Sequence, residues 1–186
     1  MQAGMESSRG NIEWKVGEWQ KESKALKCEQ GFHASERIID AMRFVNCEVL
    51  ARVEVKGKCD KEDDKQCWTE MRIVEAYEWT KQDSVKLSIF AAELSLKNFE
   101  KVFPDDKRPR EAIEAAKKWL EKPTKANESA ARSAAWSAWS AAWSAESAES
   151  AARSAESAAR SAAKILDQCE EFILEEIIPN LKPYER

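Results

Sequence analysis

A low-complexity repeat between Ser129 and Lys164 constrains this chain more than any other feature. Serine recurs in nine steps over 32 residues, and a mean step of about 3.6 residues is the period of an α-helix. Neither Gly nor Pro occurs between Pro123 and Pro179. The pattern therefore predicts one very long Ser/Ala-rich C-terminal helix within residues 124–179.

The repeat gives this predicted helix two different sides. Alanine follows every serine, whereas a charged residue or a tryptophan precedes it. Serine is a poorer helix former than alanine by about 0.5 kcal/mol, so its regular spacing needs another reason. A surface for close helix packing, a solvated face and a special surface such as an ice-binding one all remain open. A helix this long needs packing support, which favours a homo-oligomer or a protein partner.

Three tryptophans form the second feature of the repeat. Trp136, Trp139 and Trp143 would lie within about 60° of one another on a helix. Clustered tryptophans of this kind usually mark a contact, which is either packing on the protein's own core, self-association or binding of a foreign partner. The charged residues of the same predicted interaction surface are Arg132, Glu146, Glu149 and Arg153.

Residues 48–79 predict a β-hairpin in a small antiparallel sheet. Between Glu48 and Lys56, apolar and charged side chains alternate, which is typical of a strand with one buried face. A charged turn at 60–65 leads to a second strand region over 67–79. The apolar face of the first strand consists of Val49, Ala51, Val53 and Val55. The fold class is therefore α+β, with helices packed on a small sheet in the N-terminal part.

Helices are predicted at 36–45, 84–103 and 110–121 from apolar residues at helical spacing. Ser35 and Thr80 are expected N-caps for the first two, and Asn127 for the repeat helix. The resulting domain organisation is a disordered N-terminus (1–11), an α+β domain (12–104), a connecting helix (105–123), the long repeat helix (124–179) and a tail (180–186).

Composition narrows the classes of function. The chain has 186 residues, one histidine, five cysteines without CxxC spacing and a net charge of −4, so neither a zinc site nor a nucleic-acid footprint is expected. No apolar run reaches the length of a membrane helix, and residues 1–10 contain no signal-peptide core. We expect a cytoplasmic protein with no metal and no cofactor.

Two segments resemble known families. The motif Gly31-Phe32-His33-Ala34-Ser35 (GFHAS), with the hairpin sequence WTEMRI at 68–73, resembles an uncharacterised domain of phages, prophages and bacteria. The stretch RPREAIEAA at 108–116, followed by an Ala-rich repeat, is similar to immunity proteins of polymorphic toxin systems and to phage proteins with Ala-rich tails. The resemblance implies a mobile-element accessory protein in the cytoplasm of a bacterial host that binds a host or rival protein.

No catalytic constellation stands out, because the single histidine has no orienting partner at a recognisable spacing. A weaker analogy to ADP-ribosyltransferase-like folds gives a second hypothesis, a small-ligand or nucleotide site in the N-terminal domain. The residues of that predicted pocket are His33, Arg52, Trp68, Glu70 and Arg72. An exposed, salt-bridged sheet face explains the charged members equally.

The leading hypothesis is a non-enzymatic interaction protein that binds and blocks a host or rival protein, in an anti-defence or immunity-like role. The long helix would assemble copies or contact the partner. The ligand-binding domain with a structural helical tail is the alternative.

Overall fold

A computed structural model describes residues 12–26, 29–42, 48–61, 65–131 and 155–184. The chain divides into two compact units. The sheet unit contains the described residues of Met1–Thr80 and Phe172–Arg186, and the helical unit contains those of Lys81–Glu171.

The sheet unit is built on a four-stranded antiparallel sheet, which confirms the predicted α+β class. Two long strands, β3 (Val49–Lys61) and β4 (Gln66–Glu78), form the predicted hairpin. Two short strands, β1 (Gln20–Lys21) and β2 (Phe32–Ala34), pair with the other edge of β4. The short helix α1 (Ile38–Met42) lies between β2 and β3 in the chain.

β4 is the central strand of the sheet. β3 pairs with one of its edges, and several short segments pair with the other. Besides β1 and β2, Gly17 donates its N–H to the carbonyl of Ile73 at 2.8 Å. The C-terminal tail continues the same edge, since Tyr184 donates to the carbonyl of Ala76 at 2.9 Å. The last described residues of the chain therefore belong to the sheet.

The core of the sheet unit lies on one face of the hairpin. Its buried members are Trp14, Phe32, Val49, Met71, Ile73 and Ala76. Ala51, Val53 and Val55 pack against them and are partly buried, whereas Arg52, Glu54 and Lys56 are exposed. The predicted alternation of the first strand is thus confirmed, because a period of two places alternate side chains on opposite faces.

The helical unit begins with a pair of packed helices, α2 (Lys81–Val102) and α3 (Arg108–Glu121). Charged contacts link them: Arg110 bonds both carboxylate oxygens of Glu100, at 2.8 and 2.7 Å, and Lys117 bonds Glu93 at 2.8 Å. Residues 125–131 are also helical. Both predicted helices in this region are confirmed, and the first begins three residues earlier than expected.

The prediction of one very long C-terminal helix over 124–179 is wrong. The last α-helix, α4, is Ala155–Phe172, with 18 residues. A π-helical turn (Ile173–Ile177) and a 3-10 turn (Ile178–Asn180) follow it. The N–H of Ile178 bonds the carbonyl of Ile173, five residues back, which is π-helical geometry. Pro179 follows and has no N–H with which to continue the ladder.

The role expected for Asn127 is also corrected. Thr124 caps the 125–131 helix: its hydroxyl accepts from the N–H of Asn127 at 3.2 Å. The Asn127 side chain instead donates to the carbonyl of Lys122 at 2.8 Å, at the end of α3. Asn127 therefore joins the end of one helix to the beginning of the next.

Candidate functional site

The tryptophan surface predicted from the repeat lies outside the described residues. This concerns Trp136, Trp139, Trp143, Arg132, Glu146, Glu149 and Arg153. Their role in partner binding stays a prediction.

The predicted pocket residue Arg52 lies on the exposed face of the hairpin, in an ion pair. Its guanidinium donates to both carboxylate oxygens of Glu75, at 2.7 and 3.3 Å. The Tyr77 hydroxyl donates to the same carboxylate at 2.9 Å. The hydrogen bonds from Arg52 and Tyr77 hold the pKa of Glu75 below its ordinary value, and the bond to Glu75 raises the pKa of Tyr77.

Arg72 and Glu70 continue the same exposed face. Arg72 bonds Oε2 of Glu54, at 2.8 Å from Nε and 2.6 Å from a terminal nitrogen. Oε2 of Glu70 lies 3.2 Å from the Lys21 ammonium and 3.7 Å from that of Lys56. Each predicted charged residue is thus matched by an opposite charge on a neighbouring strand.

Trp19 is a member of this face that the sequence did not single out. Its ring lies under two cations, with the Lys56 nitrogen 3.9 Å and the Arg72 guanidinium carbon 5.0 Å from the ring centroid. Such cation–π contacts add to the ion pairs. In the sequence, charged residues of both signs alternate with other residues at 52–56 and 70–75. This pattern indicates pairing of charges across the two strands, but it does not identify Trp19 as their neighbour.

His33 and Trp68 lie towards the other end of the hairpin. His33 is exposed on β2 and stands opposite Cys67, whereas Trp68, Glu70 and Arg72 occupy alternate positions of β4 and so share one side of it. The Trp68 indole donates to Gln66 at 2.9 Å. The structure therefore brings Trp68, Glu70 and Arg72 to one face but places His33 beside a residue of the opposite face.

The chemistry of this face is that of a charge-paired surface. Arginine and carboxylate groups already bond one another, so an anionic ligand would compete with Glu54 and Glu75 for the two guanidinium groups. The nucleotide-binding hypothesis stays a prediction. Within the described ranges, no group of three or more His, Cys, Asp or Glu side chains could hold a metal ion.

A second candidate region is a groove in the helical unit. It lies between α3 and the 125–131 helix and has a volume of about 470 Å³. Its lining consists of Lys107, Arg110, Glu111, Glu114, Ala115, Lys118, Asn127 and Ala130. Charged side chains of both signs stand beside the small side chains of Ala115 and Ala130 in this lining.

Sequence reasoning missed this groove because it depends on how the 125–131 helix packs beside α3, where the Asn127 side chain bonds the carbonyl of Lys122. The RPREAIEAA stretch supplies much of its lining, but nothing local indicates that residues 125–131 return to α3. No helix in the described ranges is sufficiently long and apolar to cross a membrane.

Family models match two parts of the chain, which overlap at residues 78–84. One, described as "Domain of unknown function (DUF7666)", matches residues 1–84. The other, described as "Imm-5 like putative immunity protein", matches residues 78–166. Each covers less than half of the 186 residues. Neither the curated proteins nor the solved structures gave a match. The predicted similarity to immunity proteins is therefore confirmed for residues 78–166, which include the groove.

Proposed function

We propose that this chain is a non-enzymatic, immunity-like protein of a phage or other mobile element, which binds another protein in the bacterial cytoplasm and blocks it. The similarity of residues 78–166 to an immunity-protein family carries this proposal. An immunity protein acts by occupying a surface of its target, so it needs complementarity of shape and charge rather than catalytic groups.

The groove beside α3 supports the proposal. It belongs to the matched region, and Lys107, Lys118 and Glu114 give it charges of both signs. Such mixed charge selects a partner by complementary placement of charges rather than by apolar area alone. The tryptophans at 136, 139 and 143 follow directly in the same matched region and are the proposed anchors, since Trp is enriched among residues that dominate binding energy.

A growth-rescue experiment tests this function. Toxin domains of polymorphic toxin systems are expressed singly in a bacterial host, with and without this chain. We expect the chain to restore growth against one toxin class and to co-purify with that toxin at a fixed stoichiometry. Failure to protect against every toxin in a broad panel would count against the immunity-like role.

A matched pair of variants then tests the proposed anchors. Changing Trp136, Trp139 and Trp143 together to Ala should abolish rescue, because each buried tryptophan anchor contributes about 2 kcal/mol or more. The control changes the serine after each tryptophan, at 137, 140 and 144, to Ala. Rescue by the tryptophan variant at the wild-type level would exclude these residues as anchors.

A further inference from the structure

The outer edge of β3 presents a row of backbone groups that have no partner within the described ranges. The direction of these groups follows from bonds elsewhere in the sheet. Ile73 and Ala76 accept from Gly17 and Tyr184, on the side of β4 remote from β3. Residues of β3 opposite these two, Val53 and Ala51, therefore direct their own N–H and C=O away from β4.

The same alternation holds along the regular part of the strand. Glu48 accepts from Trp79 at 2.9 Å, so even-numbered positions face β4 and odd-numbered positions face outward. We call Val49, Ala51, Val53 and Val55 the outward residues. The register shift between Arg52 and Val53 places its extra residue, Val74, on β4 and leaves the alternation of β3 continuous. The regular run of β3 ends at the irregularity between Lys56 and Cys59, where Gly57 has a φ of +89°.

Three of the four outward residues also have incompletely covered side chains, whereas Val49 is buried. Ala51, Val53 and Val55 are packed against the core but only partly buried. An additional strand beside β3 would cover more of this apolar surface while pairing the exposed backbone groups.

Charge placement on β3 indicates which strand fits. If a second β3 pairs antiparallel about a two-fold axis at Val53, Arg52 stands opposite Glu54 of the other copy, and the same pair occurs twice by symmetry. Ala51 then stands opposite Val55, on the apolar face. An axis at Ala51 would instead oppose Glu48 to Glu54, which are like charges. An axis at Val55 would oppose Glu54 to Lys56. It would also place Gly57, at the end of the regular run, opposite Val53, so fewer regular pairs would form than about Val53.

The Arg52–Glu54 pair retains bonding capacity for this contact. Arg52 uses Nε and one terminal nitrogen on Glu75, and a guanidinium has five N–H donors. The bonds from Arg72 reach only Oε2 of Glu54. A second copy can therefore bond without breaking the ion pairs within each chain.

We propose that β3 is a homodimerisation edge, in which two copies of this chain pair antiparallel with Val53 on the two-fold axis and extend the sheet across both chains. The proposal is independent of the immunity-like function, because it concerns the sheet unit and makes no use of residues 78–166.

Light scattering and amide hydrogen exchange on the intact protein test this edge together. The mass should rise towards twice the 21.2 kDa of one chain as concentration increases. Exchange at the outward residues should slow about tenfold or more over the same range, whereas the amides of Leu50, Arg52 and Glu54 serve as internal controls and stay protected throughout. A monomer at all concentrations, or a dimer whose outward amides remain fast, would overturn the proposal.

A pair of lysine variants gives a second test. Val53→Lys places two ammonium groups opposite each other across the axis and should give a monomer under conditions in which the wild type is dimeric. Val74→Lys, the same change at a half-buried position of β4, should remain dimeric. Dimerisation of a folded Val53→Lys protein would contradict the register.

Discussion

Gly57, on β3, is constrained both by its own backbone conformation and by Thr69, which lies across the hairpin on β4. Its φ of +89° suits glycine, and a Cβ there would clash with the Thr69 hydroxyl oxygen. That hydroxyl is in this position because it accepts the N–H of Lys58 at 3.0 Å, a group that the bulge removes from the strand ladder. The absence of a side chain at Gly57 therefore makes room for the hydroxyl of Thr69.

Comparing two glycine substitutions separates backbone strain from this contact. Gly17 has a similar φ of +86°, but a Cβ there meets nothing within 4 Å. Gly17→Ala should cost about 1–2 kcal/mol, from the left-handed backbone alone. Gly57→Ala should cost more, because Thr69 must also move. Urea denaturation measures both free energies of unfolding, and equal costs would show that the Thr69 contact carries no penalty.

The lowered pKa of Glu75 makes the Arg52–Glu75 pair pH-dependent. A carboxylate whose folded pKa is below its ordinary value of 4.5 adds stability above that pH and loses it as the pH falls through the folded pKa. A double-mutant cycle with Arg52→Gln and Glu75→Gln should show favourable coupling at about pH 7 that decreases as the pH falls through the folded pKa of Glu75. Coupling that persists in acid would show that the carboxylate does not carry the interaction.

At the scale of elements, helix ends in the helical unit depend on side chains from neighbouring segments. Asp106 accepts from the N–H of Arg108 at 3.1 Å and also bonds its guanidinium, at the beginning of α3. Asn127 bonds the carbonyl of Lys122 just after the end of α3. Both contacts lie at the ends of α3, where backbone groups lack partners within the helix.

Removal of the Thr124 cap should weaken the 125–131 helix. Thr124→Ala eliminates the acceptor of the Asn127 N–H and should cost about 0.5–2 kcal/mol. Thr124→Ser retains the hydroxyl and is the matched control, with a stability near the wild-type value. Thermal unfolding followed by circular dichroism compares the three proteins, and an alanine variant as stable as the serine variant would contradict the capping role.

At the scale of the whole molecule, distant ends of the chain meet in one sheet. Glu78 donates to the carbonyl of Lys182 at 3.0 Å, and Tyr184 both bonds Ala76 and packs against the core. The sheet unit is therefore formed by two separate parts of the chain, residues 12–80 and residues 182–184, which hydrogen-bond to each other.

Truncation tests this closure. Deleting residues 182–186 removes two backbone hydrogen bonds and the Tyr184 contact, and should destabilise the sheet unit by about 1–3 kcal/mol. Deleting only 185–186 preserves these contacts and is the control. Hydrogen exchange at Glu78 reports the effect directly, and unchanged protection after the longer deletion would show that the tail does not hold β4.

Local patterns in the sequence determined much of the fold. Alternation at 48–56 gave the strand, its buried face and the hairpin, because a period of two is a property of neighbouring residues alone. Apolar spacing and prolines gave α2 and α3 within a few residues. The charges of Arg52, Glu70 and Arg72 were consistent with a salt-bridged sheet face, which is the alternative to a ligand pocket.

Only the tertiary structure decided the features that depend on residues far apart in the sequence. The period of the serines and the absence of Gly and Pro favoured one helix over 124–179. The last α-helix instead ends at Phe172, and a π-helical turn follows it before Pro179. Asn127 looked like an N-cap, but its side chain bonds the helix before it. The partners of Arg52 and Trp19 lie on strands brought together by folding. Hydrogen bonds between residues far apart in the sequence depend on how the elements pack, and the short-range periodicity of the sequence does not specify that packing.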